Sequence, residues 1–195
     1  FTLNIFLVNA VENHIFGFVL LNDWSCRDIQ KWEYVPLGPF LGKNFASSVS
    51  PWVVTMEALE PFRTSGPNQD TAVLPHLKAV GLRNYDIALE VSIQPQDSVE
   101  STICNSNFKF MYWNMAQQIA HHTSNGCNLN VGDLFASGTI SGSTQESYGS
   151  LLEISKAGKT PHELESGHIR SFIEDYDTIR MRAYCIKGGL RVGFG

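Results

Sequence analysis

Only one stretch of this chain carries a helical period. Over residues 108–122, Met111, Met115, Ile119 and His122 fall on one helix face, and Gly126 follows as a stop. Every other apolar run is short or alternates. Residues 85–93 set Tyr85, Ile87, Leu89, Val91 and Ile93 on one side, with Asp86, Ala88, Glu90 and Ser92 opposite, the pattern of a half-buried strand. Residues 15–21 and 51–56 read as buried strands. Residues 133–136, 151–154, 178–185 and 190–194 read as further strands, the last entered through a Gly188-Gly189 turn. Residues 28–34 read as a helical turn capped by Ser25 or Asp28 and closed by Pro36-Leu37-Gly38-Pro39, and residues 61–75 as a surface loop. The pattern predicts a β-rich α+β fold, a mixed β-sandwich or roll with one substantial helix. No repeat and no long linker divides residues 1–195, so one domain, or a large piece of one, is expected.

Hydrophobic residues make up 43% and charged residues 17% of the chain, enough for a packed core. The net charge is −5 and no basic run exists, so nucleic acid is not an expected partner. No apolar run approaches the ~20 residues of a membrane span. The apolar start at residues 1–10 lacks the basic flank and small-residue site of a signal peptide, and its first residue is Phe, which suggests a fragment or a processed form. Cys26, Cys104, Cys127 and Cys185 are dispersed and form no C-x-x-C pair. They read as free thiols, and the expected compartment is the cytoplasm.

Four segments carry a specific resemblance. They are NDWSCRDIQKWEYVPLGPFLGK at 22–43, SNFKFMYWNMAQQIAHHTSNGCNL at 106–129, GDLFASGTISG at 132–142 and GSLLEIS at 149–155. Together they resemble the fumarylacetoacetase family from about His14 to the end of the chain. The resemblance implies a homodimeric hydrolase that cleaves 4-fumarylacetoacetate to fumarate and acetoacetate, the last step of tyrosine and phenylalanine breakdown. It also implies a mixed β-sandwich roll as catalytic domain. An SH3-like domain precedes that roll in the family, and residues 1–195 contain no segment that matches it.

Hydrolysing a β-diketone across a carbon–carbon bond needs a base to activate water. It also needs positive charge and hydrogen-bond donors where the enolate develops. A hard divalent cation held by carboxylates meets the second need. The resemblance implies Ca2+ and Mg2+, with Asp23 as a carboxylate ligand and Lys43 and Ser47 at a magnesium position, Lys43 through its backbone carbonyl. It implies that the Lys43 side chain, left free, steadies the carbanion. Arg27 and Gln30 would polarise the leaving portion of the substrate, and Tyr34 and Thr139 would donate hydroxyls to it. Glu153 matches the acid that orients the family's catalytic His. Without the resemblance, Asp23 reads equally as a turn cap, and Arg27 and Gln30 as an exposed pair. Ser47 stands where the family usually has Thr, which keeps a hydroxyl.

His121 and His122 point about 100° apart on a helix, which suits helix-face residues better than ligands of one ion. His162-Glu163-Leu164-Glu165 reads as a solvated polar turn. The family draws an Asp, the general-base His and an E-x-E pair from an upstream segment. If residues 5–8 match the strand bearing that pair, Phe1 and Leu3 occupy the two Glu positions, and the connection at residues 9–14 is short. Two expectations stand side by side. One is a fragment of a working enzyme, favoured by the Phe start. The other is a truncated, inactive member serving only as a dimerisation partner, favoured by Phe1 and Leu3. An acylpyruvate hydrolase is disfavoured by the long match from Trp32 to Lys43.

Overall fold

A computed structural model describes Val8 and residues 10–195. The expectations for Phe1, Leu3, residues 5–7 and Asn9 lie outside the described residues. In chain order the elements are β1 (Gly17–Phe18), β2 (Leu21–Asp23), α1 (Arg27–Glu33), β3 (Ser47–Val49), β4 (Val54–Thr55), α2 (Met56–Leu59), β5 (Arg63–Thr64) and β6 (Asn84–Tyr85). They continue with β7 (Ala88–Gln94), β8 (Ser101–Asn107), α3 (Met115–Thr123), α4 (Leu151–Ile154), β9 (His162–Glu163), β10 (Ile169–Arg170), β11 (Thr178–Lys187) and β12 (Leu190–Gly193). The result is a set of small sheets with few, short helices.

The largest sheet has the order β12-β11-β7-β8, and every strand pairing among the described residues is antiparallel. β7 and β11 pair from Gln94↔Thr178 to Ala88↔Tyr184. β11 matches the span expected for it, whereas the strand expected over 85–93 is divided, Tyr85 of β6 pairing with Arg63 and β7 beginning at Ala88. A register shift between Val91 and Ser92 turns the alternation, so that Ser92 and Ile93 are both buried. On this sheet Glu100 receives Arg182 and Arg180, and Ser92 donates to it as well. The Arg182 hydrogen bond, followed by that of Ser92, holds the Glu100 carboxyl down to about 2.

The core joins this sheet to the two-stranded pairs. Leu59, Phe62, Tyr85, Ile87, Phe108, Met115, Ala183 and Cys185 form one cluster, with Phe18 edge-on to both Tyr85 and Phe108. Val8, Val11, Leu77, Ala116, Ile119 and Ala120 form a second. α3 stands between them, giving Met115 to the first and its alanines to the second.

Several elements differ from the sequence-based reading. The helix expected over 108–122 is two pieces, a 3-10 turn at Phe108–Phe110 and α3. Asn114 separates them because its side chain accepts the Gln117 N–H at 3.0 Å while Gln117 returns its amide oxygen to the Asn114 N–H at 3.2 Å. That capping box starts a new helix at Met115. His121 and His122 lie exposed on α3, and His122 meets Phe135 edge-on. Residues 133–136 form no strand, and residues 151–154 are a helical turn because Ser150 caps it. The run 15–21 divides into β1 and β2, and only Val54–Thr55 of 51–56 is strand, with Thr55 capping α2. α1 begins after Cys26 without a side-chain cap, so neither Ser25 nor Asp28 plays that part. His162 and Glu163 pair with Arg170 and Ile169 in a hairpin over buried Leu164 rather than forming a solvated turn. Among the described residues no helix is long and apolar enough to cross a membrane.

Candidate functional site

The ladder of β2 and β3 places Asp23 directly opposite Ser47. One residue on, the Trp24 indole N–H donates to Ser48 Oγ at 2.8 Å and ties the chain leaving β2 back to β3. Lys43 enters from the loop after α1. Its ammonium donates to Asp23 Oδ2 at 2.9 Å and to Ser25 Oγ at 2.6 Å. The side chain expected to be free is therefore engaged, since an ammonium beside a carboxylate pairs with it. With side-chain exposures of 28% for Lys43 and 48% for Asp23, the pair contributes at most ~1 kcal/mol to stability.

Arg27 donates to Gln30 Oε1 at 2.9 Å, so the first turn of α1 presents them as a linked pair. α1 buries no residue of its own. Its position is set by its neighbours: Gly42 lies buried against Gln30, where a Cβ would meet the Gln30 backbone at 2.8–2.9 Å. The last α1 residue, Glu33, accepts the backbone N–H groups of Phe40, Leu41 and Gly42 at 2.7, 3.0 and 2.7 Å. Those bonds, that of Gly42 first, hold its carboxyl below the usual range.

Asp23, Arg27, Lys43 and Thr139 line one open cleft of about 1150 Å3. Its lining also includes the polar Asn22, Ser25 and Asp28 and the apolar Leu89, Val91, Ile103, Met115 and Ile119. Among the described residues the histidine lining it is His14. Cys104 also lines it, but burial pushes that thiol up to about 11, which makes it a poor nucleophile. The cleft exceeds the roughly 300–1,000 Å3 of ordinary small-molecule pockets.

Gln30, Tyr34, Ser47 and Glu153 stand beside the cleft and are not among its lining residues. Tyr34 closes α1 and is 51% exposed. Glu153 sits behind the Thr139 loop. Its Oε2 accepts Ser141 Oγ and Ser150 Oγ, each at 2.9 Å, and Ser141 Oγ in turn accepts the Gly149 N–H at 3.0 Å. Gly149 has no room for a side chain, because a Cβ would come 2.7 Å from the Ile140 carbonyl oxygen. Glu153 thus both completes the Ser150 cap and braces the loop bearing Thr139. Sequence reasoning did not find Glu33, Ser141 or Ser150, and it gave Ser25 a capping role in place of its contact with Lys43. Only Ser150 carried a signal, the S-x-x-E spacing of a capping box.

A hard divalent cation takes about six to eight oxygen ligands, several of them anionic. Asp23 is the one carboxylate among the implied ligands, and it already holds an ammonium. Among the described residues no three His, Cys, Asp or Glu come together as a metal cluster. These residues by themselves do not make a complete cation site.

A family model described as fumarylacetoacetate (FAA) hydrolase C-terminal matches residues 4–191. The chain is 53% identical over 191 residues to a fumarylacetoacetase of Dictyostelium discoideum, which covers 96% of this chain and 45% of that protein. It is 53% identical over 189 residues to a human fumarylacetoacetase and 52% over 189 to one of Arabidopsis thaliana, with the same shares covered. The chain therefore spans under half the length of the curated relatives it matches.

Proposed function

Because the chain belongs to the fumarylacetoacetate hydrolase family, we propose that it forms part of an enzyme that hydrolyses the carbon–carbon bond of 4-fumarylacetoacetate to fumarate and acetoacetate. The observation that carries this reading is the similarity to fumarylacetoacetases across 96% of the chain, at about half of all positions. That similarity includes the segment that builds the Asp23, Lys43 and Arg27 edge of the cleft.

The chemistry divides between two needs. Water adds to one carbonyl after losing a proton to a base. The bond between that carbon and the neighbouring methylene then breaks. The electron pair leaves with the methylene carbon as an enolate, which takes up a proton to become acetoacetate. This chain supplies the second part. Lys43 and Arg27 bring positive charge to one rim of the cleft, where the enolate oxygen would lie, and Thr139 offers a hydroxyl from another side. On this reading Glu153 would orient the base, as the matching acid does in the family, beside the Thr139 loop that it braces through Ser141. The base itself and the further carboxylates of a Ca2+ or Mg2+ site would come from protein outside these residues. On the same reading the whole protein is a cytoplasmic homodimer, with the sheets seen here forming part of a larger β-sandwich roll.

A second reading is a catalytically inactive member that pairs with an intact subunit. It is favoured by the incomplete donor set around Asp23 and by the exposed apolar side chains of Trp32, Leu37 and Phe40. One assay separates the two. The complete gene product is given 4-fumarylacetoacetate, and fumarate and acetoacetate are quantified. Equal release of both supports the first reading. Release of neither product by the folded, complete gene product overturns it in favour of the second, and consumption of simple acylpyruvates with this substrate untouched overturns both. Residues 1–195 alone should show no turnover. Turnover by them would place a base at His14, His121, His122, His162 or His168.

A further inference from the structure

Glu33 has an unusual set of partners for a residue at the end of a helix. A carboxylate at a helix C-terminus opposes the helix dipole and adds nothing to α1. Here it turns away from the helix and gathers three successive backbone N–H groups, those of Phe40, Leu41 and Gly42. An anion held by consecutive amides in this way fixes the backbone around it. The other end of α1 takes the opposite pole of the same peptide: the Cys26 N–H donates to the Gly42 carbonyl at 2.9 Å. Gly42 is thereby bonded at its N–H and its C=O by the two ends of one helix, and it is packed against Gln30 with no space to spare. The next residue is Lys43. The Lys43 N–H donates to Phe40 O at 3.1 Å, so its backbone belongs to the same clamped turn.

We propose that Glu33 is the positioning residue for Lys43: it closes residues 34–42 onto α1 and so aims the Lys43 ammonium at the Asp23 edge of the cleft. The proposal rests on the reading of Lys43 as the group that meets the departing enolate. Glu33 itself touches no part of the cleft. Its effect is transmitted through one peptide, and the same clamp joins Arg27 and Gln30 on α1 to Lys43 on the loop. Arg27 and Lys43, which line the cleft, are thereby tied to one another through α1 and Gly42.

The test uses Glu33→Gln and Glu33→Asp in the complete gene product. Gln keeps the shape but faces one of the three N–H donors with an NH2 group, and Asp keeps the charge. Lys43 reactivity is read by limited acetylation with acetic anhydride and peptide mass spectrometry. Backbone protection at residues 40–42 is read by hydrogen exchange. In wild type these amides should exchange slowly and Lys43 should label slowly. In Glu33→Gln, with an unchanged circular dichroism spectrum, Lys43 labelling and amide exchange should each rise on the order of 10-fold or more. kcat should fall on the order of 10- to 100-fold, with KM within about threefold. Glu33→Asp should recover part of each change. Unprotected wild-type amides at 40–42, or Lys43 labelling unchanged in a folded Glu33→Gln protein, overturns the proposal, and the wild-type exchange decides the matter even if a variant does not fold. A wild-type protein that does not hydrolyse the diketone, yet shows the labelling change, sustains the positioning role and removes the functional reading instead.

Discussion

Asp23 and Ser47 face each other as the last register pair of the β2–β3 ladder, and Lys43, four residues before Ser47, reaches back to the same carboxylate at 2.9 Å. Three groups that the sequence scatters over twenty-five positions are held by one short strand pair and one turn.

Lys43→Met keeps the backbone and most of the side-chain volume but deletes the ammonium. In the complete gene product kcat should fall by roughly 10²–10³, or about 3–4 kcal/mol of transition-state stabilisation. KM should change far less, because the charge concerned develops in the transition state. Steady-state kinetics checks this. Unaltered kcat with lost cation binding would make Lys43 structural.

Asp23→Ala in the same protein should abolish turnover and weaken binding of Ca2+ and Mg2+. Residues 1–195 alone should bind either cation no more tightly than about 10⁻⁴–10⁻³ M, since they offer a single implied carboxylate ligand. Isothermal titration measures both. Submicromolar binding by the isolated residues would mean a cation site has been overlooked.

Gly42→Ala should destabilise the chain and disturb Lys43 together. The added Cβ would sit 2.8 Å from the Gln30 backbone nitrogen, which cannot swing aside as a side-chain tip could. Overpacking of this kind costs roughly 1–3 kcal/mol. Urea denaturation should show a lowered midpoint with an unchanged slope.

The Arg170–Asp177 pair should govern part of the acid stability. Arg170 bonds both carboxylate oxygens of Asp177 at 2.9 Å, and the Asp177 side chain is 1% exposed. The Arg170 hydrogen bond, ahead of the other favourable contacts, holds the Asp177 carboxyl below its ordinary value. A folded-state pKa lower than the unfolded one contributes stability above the unfolded value of about 4. That contribution is lost as pH falls through the folded value. Asp177→Asn should lower stability at pH 7 by roughly 2–3 kcal/mol. The difference from wild type should shrink as the pH drops below about 4, and thermal unfolding across pH 7 to 3 measures it.

Long, locally encoded elements were legible in the sequence. Most of the alternation of 85–93 became β7, with Tyr85 falling in β6, and the run at 178–185 became β11, because alternating side chains can satisfy only one sheet face at a time. Short runs were misjudged where a capping hydroxyl or amide competed with apolar character. Ser150 turned 151–154 into a helical turn, and Asn114 split 108–122. Such caps are local and could have been weighed from S-x-x-E and N-x-x-Q alone.

The site divides along the same line. The residues Asp23, Arg27, Gln30, Lys43 and Thr139 could be named from their motifs, since the motifs preserve the chemical groups and their order along the chain. The sequence by itself thus determined the family and the β-rich character, and it named Asp23, Arg27, Lys43 and Thr139, which the fold brings to one cleft. Tertiary structure alone decided that the Lys43 ammonium pairs with Asp23 and Ser25, that Glu153 braces the Thr139 loop through Ser141, and that Glu33 closes the turn before Lys43. The physical reason is that a hydrogen bond depends on distance and direction in space. Residues eight, twelve or twenty positions apart leave no periodic trace of such a bond in the chain that makes it.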